Sequence, residues 1–166
     1  MNADFECNPQ STQPSELSLL ERREIEARIA LPLIQAYAEK MGREQAVAVA
    51  TKVIQRLAGA AGRQMVEKLG GNDITALAKV VRHVWAQNGA LEITMLEENN
   101  LKLSFNVTRC RYAELYEKLG LEEFGGCLSC SRDAAFAEGF NPRLELQRTQ
   151  TIMEGASHCD FRFTLG

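Results

Sequence analysis

Residues 91–107 read LEITMLEENNLKLSFNV, and their spacing decides the fold class. Leu91, Ile93 and Met95 alternate with Glu92 and Thr94, and Leu101, Leu103, Phe105 and Val107 alternate with Lys102, Ser104 and Asn106. A period of two sends successive side chains to opposite faces of a strand, so both runs predict strands with one buried face. The polar Glu98-Asn99-Asn100 step between them predicts the turn of an antiparallel hairpin.

Upstream of this hairpin the apolar period is helical. Ser18 and Glu21 have the spacing of a capping box, and Leu19, Leu20, Ile25, Ile29 and Leu33 recur behind them. Pro32 removes a backbone donor and crowds the preceding turn, which predicts a kink or a split before the helix ends at Met41-Gly42. A second helix is expected from about Arg43 to Leu69. Its small residues, Ala58, Gly59, Ala60, Ala61 and Gly62 among them, predict close approach of another helix. The same face serves equally across a two-fold axis, so a homodimer stays open. Gly70-Gly71 stops this helix and Asn72 is the expected cap of a third, whose stripe is Ile74, Leu77, Val81, Val84 and Trp85 and whose end is Asn88-Gly89. His83 falls off that stripe, toward solvent.

Downstream, Tyr112 to Leu119 predicts a short helix ended by Gly120. Another runs from near Cys130 to Gly139, with Pro142 just beyond. A second hairpin closes the chain, with strands Leu144 to Ile152 and Cys159 to Leu165 and a turn around Glu154-Gly155. The expectation is α+β: N-terminal helices packed on a four-stranded antiparallel sheet made of two β-hairpins joined by short helices.

Composition narrows the function. The 166 residues carry 19 Lys+Arg against 22 Asp+Glu, a formal charge of −3, with 45% hydrophobic residues. That balance suits one globular domain, expected over residues 17–166 behind a polar, disordered tail at 1–16. No basic run offers a phosphate-binding surface, so nucleic acid is not expected as a partner. No apolar run approaches the roughly 18 residues of a membrane span. The first residues lack the basic start and apolar core of a secretory signal, which points to the cytoplasm. No Gly-rich phosphate loop is present. A small-molecule substrate is the expected partner.

Cysteines carry the chemical signal. Cys7 falls in the tail, while Cys110, Cys127, Cys130 and Cys159 cluster in the last third of the chain. One buried thiol is ordinary core filling; four in one region suggest a site. Cys130 and Asp133 are neighbours across one helical turn, in the opening turn of the helix ending at Gly139. Free amide donors and the positive dipole end predict a lowered Cys130 pKa there. Asp133 is then a first-turn carboxylate or a proton carrier beside the thiol. Arg148 lies in phase with Leu144 and Leu146 on a strand's apolar side. It either snorkels to water from the strand end or sits in a pocket to grip a carboxylate. Cys127-x-x-Cys130 is half of a metal knuckle without a second pair. A three-thiolate site of Cys110, Cys130 and Cys159 leaves room for zinc or iron. His158 and Cys159, adjacent on a strand, point to opposite faces. A dithiol redox pair lacks its usual strand-to-helix setting.

Six strings, NVTRC (106–110), YAELYEKLG (112–120), CSRD (130–133), GFNP (139–142), RTQT (148–151) and GASHCDFR (155–162), resemble the L-2-amino-thiazoline-4-carboxylate hydrolase family. The resemblance covers about residues 91–166; the N-terminal helices match in general character. It implies opening of a cyclic isothiourea, the thiazoline ring, to a carbamoyl-cysteine on a route to L-cysteine. On that reading Cys130 is nucleophile or metal ligand and Asp133 the general acid/base. Cys159 and Cys110 are the second and third thiols, and Arg148 holds the substrate carboxylate with Asn141 nearby. His158 ranks lower as a base, and Cys127 is only a neighbour. The helical start with two hairpins also resembles vinyl-reductase-type small-molecule-binding domains. Two other readings stand beside the hydrolase. One is a non-catalytic module binding a small molecule or soft metal through the same thiols. The other is an interaction domain whose cysteines only pack.

Overall fold

A computed structural model describes residues 17–166; the expected tail, with Cys7, lies outside the described residues. Helix α1 (Leu19–Met41) opens on the capping box foreseen from the sequence: Ser18 accepts from the Glu21 amide, and the Glu21 carboxylate accepts the Ser18 amide at 2.8 Å. Pro32 lies inside α1 without splitting it. The apolar spacing along α1 does not mark its buried side. Ile25, Ile29 and Leu33 are 48%, 62% and 56% exposed, whereas Ala27 and Ile34 are buried.

Helix α2 (Arg43–Leu69) ends at Gly70, whose left-handed φ of 68° suits a residue without a Cβ. Helix α3 (Ile74–Val80) is capped by Asp73 rather than by Asn72, because the Asp73 carboxylate reaches the Ala76 amide at 2.7 Å. It runs on as a wider turn, Val81–Trp85, that ends on buried Trp85. His83 is exposed, as its place off the stripe implied.

Strands β1 (Leu91–Glu98) and β2 (Lys102–Cys110) form the first hairpin. Helix α4 (Arg111–Lys118), the short α5 (Glu122–Gly125), a wide turn Gly126–Cys130 and α6 (Arg132–Phe140) lead to β3 (Leu144–Gln147) and β4 (Cys159–Leu165). The hairpins join through β2 and β4, giving one four-stranded antiparallel sheet in the order β1-β2-β4-β3. Registered pairs Leu103↔Phe163, Phe105↔Phe161 and Val107↔Cys159 place the buried residues of both strands on one face. Phe105 and Phe161 stack with ring centroids 4.9 Å apart. The other face is polar, and there Arg162 donates to the Asn106 side chain.

The small residues of α2 do what their pattern predicted: α2 packs against α6 backbone to backbone. A Cβ on Gly62 would collide with the Phe136 carbonyl oxygen and come within 2.7 Å of the Phe140 amide nitrogen. A second apolar cluster joins Ala27 and Ile34 of α1 and the first half of α2 to Tyr116, Phe124, Cys127 and Leu128.

Two expected boundaries move. The strand foreseen to Ile152 stops at Gln147, because Asp160 captures the next amides. Its carboxylate accepts from Thr149 N and Gln150 N at 2.9 Å each and from the Thr149 hydroxyl at 2.7 Å. The helix foreseen from Cys130 begins at Arg132, since residues 126–130 are wound into the wider turn.

Candidate functional site

Between the helical layer and the sheet lies a cavity of about 370 Å³, the size of ordinary small-molecule pockets. Trp85 comes from the wide turn after α3, Phe136 from α6, and Val107, Phe161 and Cys159 from the sheet. Trp85 meets Phe136 edge-on at 5.4 Å between centroids. Into this apolar setting project Asp133, Arg148, Cys110, Cys130 and Cys159, all of them expected site residues. Asn141 is not among them. It is buried at the end of α6, its amide donating to Asn72 O at 2.9 Å and its carbonyl accepting the Arg143 amide at 3.0 Å. It ties α6 to the start of α3 and does not line the cavity, where the expectation had placed it beside Arg148. Cys127 packs in the second apolar cluster, its sulfur 3.1 Å from Thr51 Oγ1, apart from the cavity. His158 lies outside the cavity lining and contacts the Gln150 and Ser157 side chains.

Arg148 does point inward, just past the end of β3. One guanidinium nitrogen pairs with Asp133, another donates to the Cys130 carbonyl at 3.1 Å, and the plane lies 5.1 Å from the Phe161 ring centroid. The Asp133 and Arg148 side chains are only 23% and 16% exposed. Burial pushes the Asp133 pKa up from its ordinary value, against the pull of the Arg148 charge. The same carboxylate helps keep Arg148 protonated against its own desolvation.

The thiols behave opposite to expectation. Burial pushes Cys130 up to about 12, with the Asp133 charge adding to the effect, and Cys110 up to about 11. Cys159 is also raised by burial, although the Ile152 amide donates to its sulfur at 3.2 Å. Cys130 sits before the first turn of α6, on the wide turn, so desolvation outweighs the helix dipole there. The expected lowered pKa of Cys130 is therefore corrected. The three-thiolate metal site does not fit either: among the described residues no three His, Cys, Asp or Glu side chains are placed to hold an ion.

A measurable consequence follows from protonated thiols. At pH 7.5, iodoacetamide is expected to label Cys110 and Cys130 at least about 100-fold more slowly than a free cysteine, because the thiolate is the reacting form. Stability changes with the same sign. Both folded pKa values lie above the ordinary 9.0, so protonation favours the fold at pH below 9. That advantage is lost as pH rises from 9 through about 11 for Cys110 and about 12 for Cys130, because the unfolded chain releases protons the folded chain keeps. Fast labelling at neutral pH, followed by mass mapping to either cysteine, would contradict this.

Sequence reading missed Arg23 and Arg132, which line the cavity from α1 and α6 and share one carboxylate, Glu26. Their place on helices with no break in period gave no signal. A second, more open hollow of about 390 Å³ adjoins the first, and Cys110 lines both.

No helix of the described residues is long and apolar enough to cross a membrane. No curated protein matches the chain. Among solved structures, the phenol-responsive sensory domain of the transcription activator PoxR, with phenol, has a TM-score of 0.54 at 10% identity, covering 84% of this chain and 73% of that one. A trafficking protein particle complex subunit 3 from Naegleria fowleri, covalently bound to palmitic acid, has a TM-score of 0.52 at 11% identity, covering 87% and 95%. These likenesses concern the fold alone. The family model for L-2-amino-thiazoline-4-carboxylic acid hydrolase matches residues 22–163, so the likeness extends from the strand-rich half through the N-terminal helices. The chain belongs to the L-2-amino-thiazoline-4-carboxylic acid hydrolase family.

Proposed function

We propose that the cavity is the active site of a hydrolase that opens a small cyclic isothiourea such as 2-amino-thiazoline-4-carboxylate. The observation that carries this reading is the Asp133–Arg148 pair, held beside the aromatic wall of the cavity in a chain of this family. A buried carboxylate with an upward-shifted pKa is suited to move a proton near neutral pH.

Asp133 takes a proton from the attacking water, whose oxygen bonds to the ring carbon between the sulfur and the two nitrogens. The carbon–sulfur bond breaks, the released sulfur accepts the proton from Asp133, and the remaining hydroxyl proton passes to the ring nitrogen as the carbonyl forms. One water is consumed and a carbamoyl-cysteine is formed. The Arg148 charge opposes the burial that raises the Asp133 pKa, and so favours return of the carboxylate after each cycle. Cys130, with its thiol protonated, acts as a nucleophile only if the same carboxylate first removes its proton.

Purified protein incubated with the thiazoline acid is expected to yield carbamoyl-cysteine, detected by mass spectrometry. Asp133→Asn is expected to lower kcat about 10²–10⁴-fold, the usual weight of a positioned acid/base group. Full activity in Asp133→Asn would remove the mechanism. In Cys130→Ala, retained turnover assigns the attack to water and lost turnover assigns it to sulfur.

A second reading is favoured by the aromatic lining of the cavity: a ligand-binding domain without turnover, in keeping with fold neighbours that hold phenol and palmitic acid. Saturable binding of the thiazoline acid without product is its signature.

A further inference from the structure

We infer that Arg23 and Arg132 form an anion subsite on the cavity wall that seats the carboxylate of the ligand, while Arg148 serves Asp133. This rests on the reading of the cavity as the ligand site. Arg23 comes from the second turn of α1 and Arg132 is the first residue of α6, so two separate elements deliver guanidinium groups to one place. Their side chains are 17% and 12% exposed.

Between them stands a single carboxylate. Arg23 donates to both Glu26 oxygens at 2.9 and 2.7 Å, and Arg132 donates to one of the same oxygens at 2.7 Å. Arg132 also donates through Nε to the Leu128 carbonyl at 2.7 Å, which fixes the orientation of its plane. Among the described residues, two guanidinium groups share this one carboxylate, which leaves one positive charge in excess in a largely desolvated place. Glu26 itself is 47% exposed and can turn toward water.

The remaining charges on the cavity wall do not remove this surplus. Asp133 is matched by Arg148, and Arg22 and Lys68 add further positive charge. Burial and the neighbouring Arg23 charge both push the Arg132 pKa down, so an incoming anion relieves a real repulsion. Guanidinium forks match a carboxylate in geometry as well as charge. Beyond the pair the wall is Met65, Trp85, Val107, Phe136 and Phe161. The ligand class is thus a carboxylic acid with a compact apolar body, its head on Arg23 and Arg132 and its body reaching toward Asp133.

The test is calorimetric titration of the full chain with 3-phenylpropanoate and with its neutral carboxamide. The wild type is expected to bind the acid at least about tenfold more tightly than the amide, the scale of one charge-assisted contact. Arg23→Gln and Arg132→Gln are each expected to abolish most of that preference while changing amide affinity less than about twofold, and Arg132→Lys to restore part of it. Should Arg132→Gln fail to fold in a thermal melt, Arg23→Gln decides alone. Equal affinity for acid and amide, binding of neither, or a preference that survives the Gln substitutions overturns the subsite. Thiazoline turnover on the same proteins separates the two readings. Absent turnover with an intact acid preference sinks only the hydrolase. Intact turnover with no acid preference sinks only the subsite.

Discussion

Asp133→Ala is expected to lower the free energy of unfolding by about 3 kcal/mol, because it leaves a buried guanidinium without its counter-charge. Arg148 is 16% exposed, lies over the Phe161 ring and lines the cavity. Its remaining contacts, the Cys130 carbonyl and the aromatic face, are neutral. Cavity water keeps the loss at the lower end of the range for broken buried pairs. Asp133→Asn retains an acceptor and is expected to lose about half as much. Replacing both partners, as Asp133→Leu with Arg148→Met, removes the stranded charge and is expected to recover most of the stability. Urea denaturation of the three variants and the wild type measures all of this. A loss as large in the double variant as in Asp133→Ala would show that the pair is not what Asp133 contributes to the fold.

Gly62→Ala is expected to cost about 3 kcal/mol, the upper part of the usual overpacking range. The added carbon would meet the Phe136 carbonyl and the Phe140 amide, both backbone, so no side chain can rotate out of the way. Helices α2 and α6 would have to separate, carrying Phe136 and Asp133 away from the cavity. Gly59→Ala is the internal control. Its Cβ would lie 3.4 Å from Ala135 O, and it replaces a helix-interior glycine by a better helix former, so a change within about 1 kcal/mol is expected. Equal melting temperatures for the two variants would refute the tight crossing at Gly62.

How much of this was legible in the sequence depends on whether local or distant forces decide each feature. The hairpin at 91–107, the span of β4, the capping box at Ser18 and the close packing of α2 all follow from short-range pattern, and all are present. The end of β3 was hidden because it is set by Asp160, a residue on the neighbouring strand that takes the amides a longer ladder would have used. Arg148 announced itself by breaking an apolar phase. Arg23 and Arg132 broke nothing, since arginine on a helix is ordinary until folding places two beside one glutamate. The ionisation of Cys130 was misjudged for a similar reason. A wide turn shifts it off the helix start into a partly buried, desolvating place, and desolvation is a property of the whole fold.

The two layers enclosing the cavity contribute different materials. The strands supply hydrocarbon and sulfur through Leu91, Val107, Cys110, Cys159 and Phe161, whereas nearly every ionic group in the lining belongs to a helix, with Arg148 beyond β3 the exception. The alternating pattern that builds a sheet tolerates little change, because one polar residue in phase with the core disturbs a whole strand. A helix can exchange a surface arginine without losing its register. Substitutions on α1 and α6 can therefore change the charge of the lining while the floor of strands keeps its packing.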